Sequence, residues 1–104
     1  MANMMKMLKQ AQQMQKNMEK VQAELADKEM EFSVGGGKVS AVATCDGTVK
    51  SIKIAPEVVD PDDVEMLEDL ILAAVEGAIT QGKEHAAQEM GELTKGMNIP
   101  GMPF

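Results

Sequence analysis

The sequence predicts an α+β domain in which a long N-terminal helix, a three-stranded antiparallel sheet and a C-terminal helix follow one another (α-β-β-β-α). Near the N-terminus, apolar residues recur at alternating spacings of three and four. The middle of the chain changes to a period near two and contains glycine turns. A second helical pattern then follows an acidic, proline-containing segment. At 104 residues one domain is expected, covering residues 1–96, with residues 97–104 forming an irregular tail that contains Gly and Pro.

The first helix is predicted to run from about Asn3 to Asp27. At 1.5 Å per residue it is roughly 37 Å long, more than a three-stranded sheet is expected to cover, so part of it should project. Its apolar residues share one helical face, and this seam needs a partner from the second helix or from another copy. The seam consists of Met4, Met7, Ala11, Met14, Met18, Val21 and Leu25.

The opposite face of this helix carries lysines when residues are placed at about 100° intervals. Gln13 and Asn17 lie between them. Two interpretations of this face are open. It is either a solvated surface or a surface whose ammonium groups contact phosphates and release counterions from a duplex. The lysines are Lys6, Lys9, Lys16 and Lys20.

The first two strands are predicted at Glu29 to Val34 and at Lys38 to Cys45. Gly35-Gly36-Gly37 between them predicts a tight turn. The segment GGGK, residues 35–38, has neither the spacing nor the following Ser or Thr of a phosphate-binding loop, and it connects two strands. A turn without a ligand is therefore the favoured interpretation.

Asp46-Gly47 is the strongest hairpin signal in the chain. A two-residue turn there pairs Cys45 with Thr48 and Ala41 with Ile52. The third strand ends at Pro56, and Lys50 on its apolar side predicts a position near the edge of the sheet. The apolar face needs a cover and comprises Val39, Ala41, Ala43, Cys45, Ile52 and Ile54.

The second helix is predicted to start within Asp60-Pro61-Asp62-Asp63, which offers an oxygen-bearing cap, a proline at the first position and acids in the first turn. Gly77 and Gly82 each cost about 1 kcal/mol relative to alanine, so they predict a bend or a close approach. The pattern continues through Met90 and Leu93. The stripe expected to close over the sheet is Leu67, Leu70, Ile71, Ala74, Val75 and Ala78.

The composition argues against several modes of ligand recognition and against a membrane span. The formal charge is -7, but residues 1–28 carry +2 and the remainder -9. There is no arginine to form a bidentate fork with guanine, and the only aromatics, Phe32 and Phe104, give unpaired bases no stacking platform. The longest apolar run, residues 70–75, is far too short to cross a bilayer.

Catalysis and metal binding are not expected. The single cysteine, Cys45, and the single histidine, His85, give neither a disulfide nor a metal cluster, which favours a reducing cytoplasm. Helix capping accounts for the acids around residue 60. No nucleophile, base and orienting group converge. We therefore predict no enzyme activity, no catalytic residue, no cofactor, no small-molecule substrate and no membrane partner.

Several segments together resemble one family. DPDDVEMLEDLILAAVEGA, residues 60–78, closely resembles the signature of the YbaB/EbfC family of bacterial nucleoid-associated proteins. The resemblance extends over essentially the whole chain. It includes LKQAQQMQKNMEKVQAEL (8–25), GGGKVSA (35–41), IKIAPEVVDP (52–61) and EMGELTKGMNIPGM (89–102).

The resemblance implies a small homodimer whose helices project like tweezers from a shared body. It also implies a protein of the cytoplasmic nucleoid that coats or bends DNA and so affects gene expression. Relatives commonly carry arginines around the third strand and second helix, and their absence here argues against tight or sequence-selective binding. In this region the chain carries Lys50, Lys53, Lys83 and Lys95 instead.

The leading hypothesis is a homodimer that contacts double-stranded DNA through Lys6, Lys9, Lys16 and Lys20 on two projecting arms. Replication or recombination proteins are possible partners of the acidic half. The alternative is a chaperone-like or adaptor protein that binds apolar segments through Met4, Met5, Met7 and Leu8. The residues assigned to the core or the dimer interface are Met14, Met18, Val21, Leu25, Ile52, Ile54, Leu67, Leu70, Ile71, Ala74 and Val75.

Overall fold

The structure, a computed structural model, describes residues 2–97. Its order of elements confirms the predicted α-β-β-β-α arrangement. Most of the predicted tail, residues 98–104, lies outside the described residues, whereas Met97 ends the last helix. The elements are α1 (Ala2–Asp27), β1 (Glu29–Val34), β2 (Val39–Thr44), β3 (Val49–Ile54), a 3-10 turn (Pro56–Val58) and α2 (Val64–Met97).

The molecule is elongated because both helices outrun the sheet. Its principal extents are 74 × 25 × 17 Å, and its radius of gyration is 20.2 Å, against about 13 Å for a compact chain of 100 residues. The 26 residues of α1 span about 39 Å and the 34 residues of α2 about 51 Å. Strands of six residues are only about 20 Å long.

The sheet is antiparallel in the order β1-β2-β3, so β3 is an edge strand as predicted. β1 and β2 pair from Glu29 opposite Thr44 to Val34 opposite Val39. The connecting glycines Gly35, Gly36 and Gly37 have φ of 61°, 68° and 87°. These left-handed conformations suit glycine, so the GGGK segment forms the predicted turn.

The turn between β2 and β3 differs from the prediction. The Thr44 N–H donates to the Thr48 carbonyl at 2.8 Å, so the loop contains three residues and the predicted Cys45–Thr48 pair is wrong. The reason lies in the side chains: the Thr48 N–H donates to both Thr44 Oγ1 and Asp46 Oδ1, which fixes Thr48 opposite Thr44. Gly47 accommodates the loop with a φ of 94°.

A β-bulge restores the expected register further along the hairpin. Ala43 pairs with Val49 and Val42 with Ser51, which leaves Lys50 as the extra residue. Ala41 therefore pairs with Ile52, as predicted.

The second helix also begins later than predicted. The Asp60 carboxylate accepts from the Asp62 N–H at 2.9 Å, which closes a turn and leaves Asp60 outside the helix. Asp63 instead caps α2, because its Oδ1 accepts from the Met66 N–H at 3.3 Å. Pro61 consequently lies in the turn and not at the first helical position.

α2 packs across β1 and β2 at very short range. A Cβ at Gly77 would overlap the Phe32 ring, and a Cβ at Gly82 would lie 3.0 Å from the Thr44 carbonyl oxygen. Both glycines therefore serve the close approach that the sequence predicted. The buried core between helix and sheet consists of small side chains: Val39, Ala41, Ala43, Ala74 and Ala78.

The predicted apolar face of the sheet is covered unevenly. Its β2 members Val39, Ala41 and Ala43 are buried beneath α2. Its β3 members Ile52 and Ile54 remain 42% and 38% exposed. α2 thus closes over two strands and leaves the inner face of the edge strand open.

Candidate nucleic-acid interface

A row of four lysines lies along α1. Lys6, Lys9, Lys16 and Lys20 are all exposed, as the helical spacing predicted. The 14 residue steps from Lys6 to Lys20 correspond to about 21 Å along the helix axis. At about 3.4 Å per base-pair step this length matches roughly six steps of B-DNA.

These lysine ammonium groups have no carboxylate partner within residues 2–97. In that part of the chain Lys38 pairs with Glu57, and His85 Nε2 lies 3.6 Å from a Glu89 carboxylate oxygen. Gln13 Nε2 donates to Asn17 Oδ1 at 3.3 Å within the lysine row. The row is therefore a polar, positively charged surface that is available to an anion.

The row ends where α1 reaches the body of the molecule. Glu24 and Asp27 are exposed and lie on the same side of the helix as Lys6 and Lys9, because their helical angles coincide. Sequence reasoning did not single out these two acids, although the same helical projection contains them. Their carboxylates oppose the positive charge at the inner end of the row, where Lys20 is one helical turn from Glu24.

The body end of α1 is firmly attached. Leu25 is 7% exposed, and its carbonyl accepts from the Cys45 N–H at 3.1 Å. The same N–H lies 3.0 Å from the Lys28 carbonyl. Val21 and Leu25 also line a hollow with His85 and Glu89 of α2. The lysine row is thus held on a helix whose base is bonded to the sheet.

The far end of α1 is free of such packing. Met14 and Met18 are half-buried, but the seam residues nearer the N-terminus are open. A helix tip with this many apolar side chains in water is unusual for a monomer. The exposed fractions are 73% for Met4, 68% for Met5, 67% for Met7 and 60% for Leu8.

Four other lysines lie away from α1. Lys50 and Lys53 are exposed on β3, and Lys83 is exposed on α2. Lys38 follows the glycine turn and pairs with Glu57. None of these four belongs to the row on α1.

The residues assigned to the core or the interface fall into three groups. Leu25 and Ala74 are buried, whereas Ile52 and Ile54 are 42% and 38% exposed in a single chain. The half-buried members are Met14, Met18, Val21, Leu67, Leu70, Ile71 and Val75.

The described residues were also compared with what a reactive thiol, a metal site or a membrane span requires. Burial raises the pKa of the Cys45 thiol, which therefore stays protonated and unreactive. Within residues 2–97 no three His, Cys, Asp or Glu side chains are grouped to hold a metal ion. Neither helix in that range is long and apolar enough to span a membrane.

The geometry defines a class of protein: a small sheet body with a protruding helix that carries a row of exposed lysines. The model of the YbaB/EbfC DNA-binding family matches residues 1–97. The chain belongs to this family, which confirms the resemblance found in its segments.

Similar proteins agree with this assignment. A nucleoid-associated protein of Alkaliphilus metalliredigens is 55% identical over 100 residues, covering 96% of this chain and 88% of the relative. A nucleoid-associated protein of Ruminiclostridium cellulolyticum is 54% identical with the same coverage. The crystal structure of an uncharacterized Helicobacter pylori protein has the same fold, with a TM-score of 0.70 and 17% identity over 81% of this chain and 88% of that one.

Proposed function

We propose that this protein is a nucleoid-associated protein that acts as a homodimer and binds duplex DNA through Lys6, Lys9, Lys16 and Lys20. The single observation that supports this most is the row of exposed lysines without carboxylate partners on a projecting helix. Family membership and the names of the relatives point to the same ligand.

The binding should depend little on base sequence. Lysine ammonium groups contact phosphates as point charges and carry no sequence information there. The chain has no arginine for bidentate reading of guanine. Gln12, Gln13 and Asn17 are the side chains near the row that are able to reach a base edge, and they are too few to specify a long site.

The overall charge opposes this binding, so the attraction must be local. A dimer carries a formal charge of -14, twice the value of one chain. At physiological salt, charges more than about 8 Å apart are largely screened. Lys6 and Lys9 lie about 22 Å or more along the helix axis from Glu24, so the outer half of the row is screened from the acidic body. We therefore expect micromolar or weaker affinity, typical of non-specific binding.

Variants at the row test the proposal. Changing Lys6, Lys9, Lys16 and Lys20 together to Gln keeps helix propensity nearly constant and should abolish the shift of a mixed-sequence duplex in an electrophoretic titration. The charge-matched control changes Lys28, Lys38, Lys50 and Lys53 to Gln. Both variants remove the same charge, so a loss confined to the first supports the row, and an equal loss in both refutes it.

The proposed phosphate contacts also predict where the protein is located and what it does to DNA. A protein that binds duplex DNA without strong sequence preference belongs on the nucleoid in the cytoplasm. Two arms on one body would bend or coat the DNA and thereby alter gene expression. The acidic body is free for a replication or recombination protein as a further partner.

A second candidate function rests on the apolar tip of α1. Met4, Met5, Met7 and Leu8 are 60–73% exposed, and methionine-rich surfaces adapt to varied apolar partners. The protein would then hold apolar segments of other proteins as a chaperone or adaptor. Salt distinguishes the two functions, because apolar binding persists at about 0.5 M salt whereas phosphate binding collapses.

A further inference from the structure

The tip of α1 carries two apolar side chains that lie outside the apolar seam. Met5 and Leu8 are 68% and 60% exposed. Helical projection places Met5 about 150° and Leu8 about 90° from the middle of the seam. A helix that packs along the seam covers a stripe roughly 100° wide. Such a partner therefore leaves both side chains in water, and the seam does not account for them.

These two side chains adjoin the lysine row. Met5 lies on the lysine side of α1, one helical turn before Lys9 and about 6 Å from it along the axis. Leu8 follows Met5 at a spacing of three, which makes the two side chains neighbours on the helix surface. We call Met5 and Leu8 the apolar tip pair. A ligand held by the outer lysines therefore meets this pair as well.

The charges around the apolar tip pair are all positive. From residue 2 to residue 18 the charged side chains are Lys6, Lys9 and Lys16, and the first acid is Glu19. An apolar surface framed by cations complements a ligand with an apolar interior and an anionic rim. Duplex DNA has this character, because its stacked base pairs lie between two rows of phosphates. An apolar protein segment offers no such rim, so charge complementarity favours DNA as the occupant.

We propose that the apolar tip pair is a wedge that enters one base step of the duplex and partly unstacks it, while the lysine row holds the flanking phosphates. The inference rests on the DNA binding of the proposed function and adds a contact to it. Leucine and methionine are among the side chains that proteins insert between base steps from the minor groove. Met5 and Leu8 are only about 4.5 Å apart along the helix axis, so they act together on one step.

The wedge predicts a preference for easily opened steps. Pyrimidine–purine steps such as TA unstack more readily than others. The wedge therefore favours these steps through their deformability, without reading a base edge. This weak preference is compatible with a chain that has no arginine for guanine.

The test is the fluorescence of 2-aminopurine placed in the central TA step of a duplex of about 20 base pairs, long enough for the lysine row. Stacking quenches this base analogue, so saturating wild-type protein at low salt should raise its emission roughly twofold or more. Saturation is followed separately by the anisotropy of a dye at the duplex end. Met5→Gln combined with Leu8→Gln keeps helix propensity nearly constant. This variant should still bind, within about tenfold of the wild-type affinity, and produce no rise.

The matched control is Met4→Gln combined with Met7→Gln. These two methionines are 73% and 67% exposed at the same tip, but they belong to the seam. The control should keep the rise. Met5→Leu combined with Leu8→Met exchanges the two apolar side chains and should also keep it, because the wedge needs apolar bulk at both positions. Circular dichroism checks that each variant retains its helices.

The outcomes separate the wedge from the proposed function. A wild type that saturates the duplex without a rise, or an equal loss of the rise in both glutamine variants, overturns the wedge alone. A wild type that binds no duplex overturns the proposed function and the wedge with it. If Met5→Gln with Leu8→Gln keeps the rise and instead loses binding to reduced, unfolded α-lactalbumin, the tip holds apolar protein segments and the wedge is likewise overturned.

Discussion

Replacing Gly77 by alanine should destabilise the protein although it improves the helix. In a helix interior, alanine is favoured over glycine by about 1 kcal/mol. The new Cβ at Gly77 would overlap the Phe32 ring, and overpacking of a core costs about 1 to 3 kcal/mol. The net change should be a loss of up to about 2 kcal/mol, the difference of these two effects.

Gly91 supplies the matched control. It lies in the same helix, and a Cβ added there would meet no atom within 4 Å, so Gly91→Ala should stabilise the protein by about 1 kcal/mol. Urea denaturation of all variants at one fixed protein concentration measures both changes.

The Phe32 ring is the cause to be tested. In a Phe32→Ala background the clash is absent, and Gly77→Ala should become stabilising by about 1 kcal/mol, like the change at Gly91. If Gly77→Ala stabilises the wild-type background as much as Gly91→Ala does, the close packing of α2 on β1 is refuted.

Two further predictions concern the caps and turns. Asp63→Ala should cost about 1 kcal/mol in urea denaturation because it removes the cap of α2; an equal loss in Asp62→Ala would contradict that assignment. Hydrogen bonds from the Thr44 hydroxyl and, to a smaller extent, from Thr48 lower the pKa of the Asp46 carboxyl. The ionised Asp46 therefore stabilises the folded state above the pKa of the unfolded chain. This stabilisation is lost as the pH falls through the lower pKa of the folded state. Asp46→Asn should accordingly lessen the drop in Tm below about pH 4, and an unchanged drop would refute this role.

Local patterns were enough to predict most of the fold. The seam on α1, the change of period at Asp27 and the glycine turn each depend on neighbouring residues alone, and the structure reproduces them. The start of α2 was missed because Asp60 and Asp63 are chemically alike. Only the hydrogen bonds show that one closes a turn and the other caps the helix.

Tertiary contacts account for the remaining differences. The Thr44 and Asp46 side chains set the three-residue loop, and the bulge at Lys50 then corrects the register. The exposure of Ile52 and Ile54 follows from how α2 sits over Phe32 of β1, which no local period encodes.

The candidate site was predicted only in part. Helical spacing alone placed Lys6, Lys9, Lys16 and Lys20 on one exposed face, and the structure shows that face free of carboxylate partners in the described chain. Their contact with phosphates stays a prediction, because exposure is also what a solvated face would show. A binding measurement is required to separate the two.

The most direct test is the salt dependence of DNA affinity for the wild type and for the variant with all four row lysines changed to Gln. Each phosphate contact contributes about -0.9 to the slope of log affinity against log salt. If about five to eight lysines of a dimer engage, the wild-type slope should lie near -4 to -7, and the variant should show almost no binding to titrate. Equal slopes for the two proteins would contradict the assignment of DNA binding to the lysine row of α1.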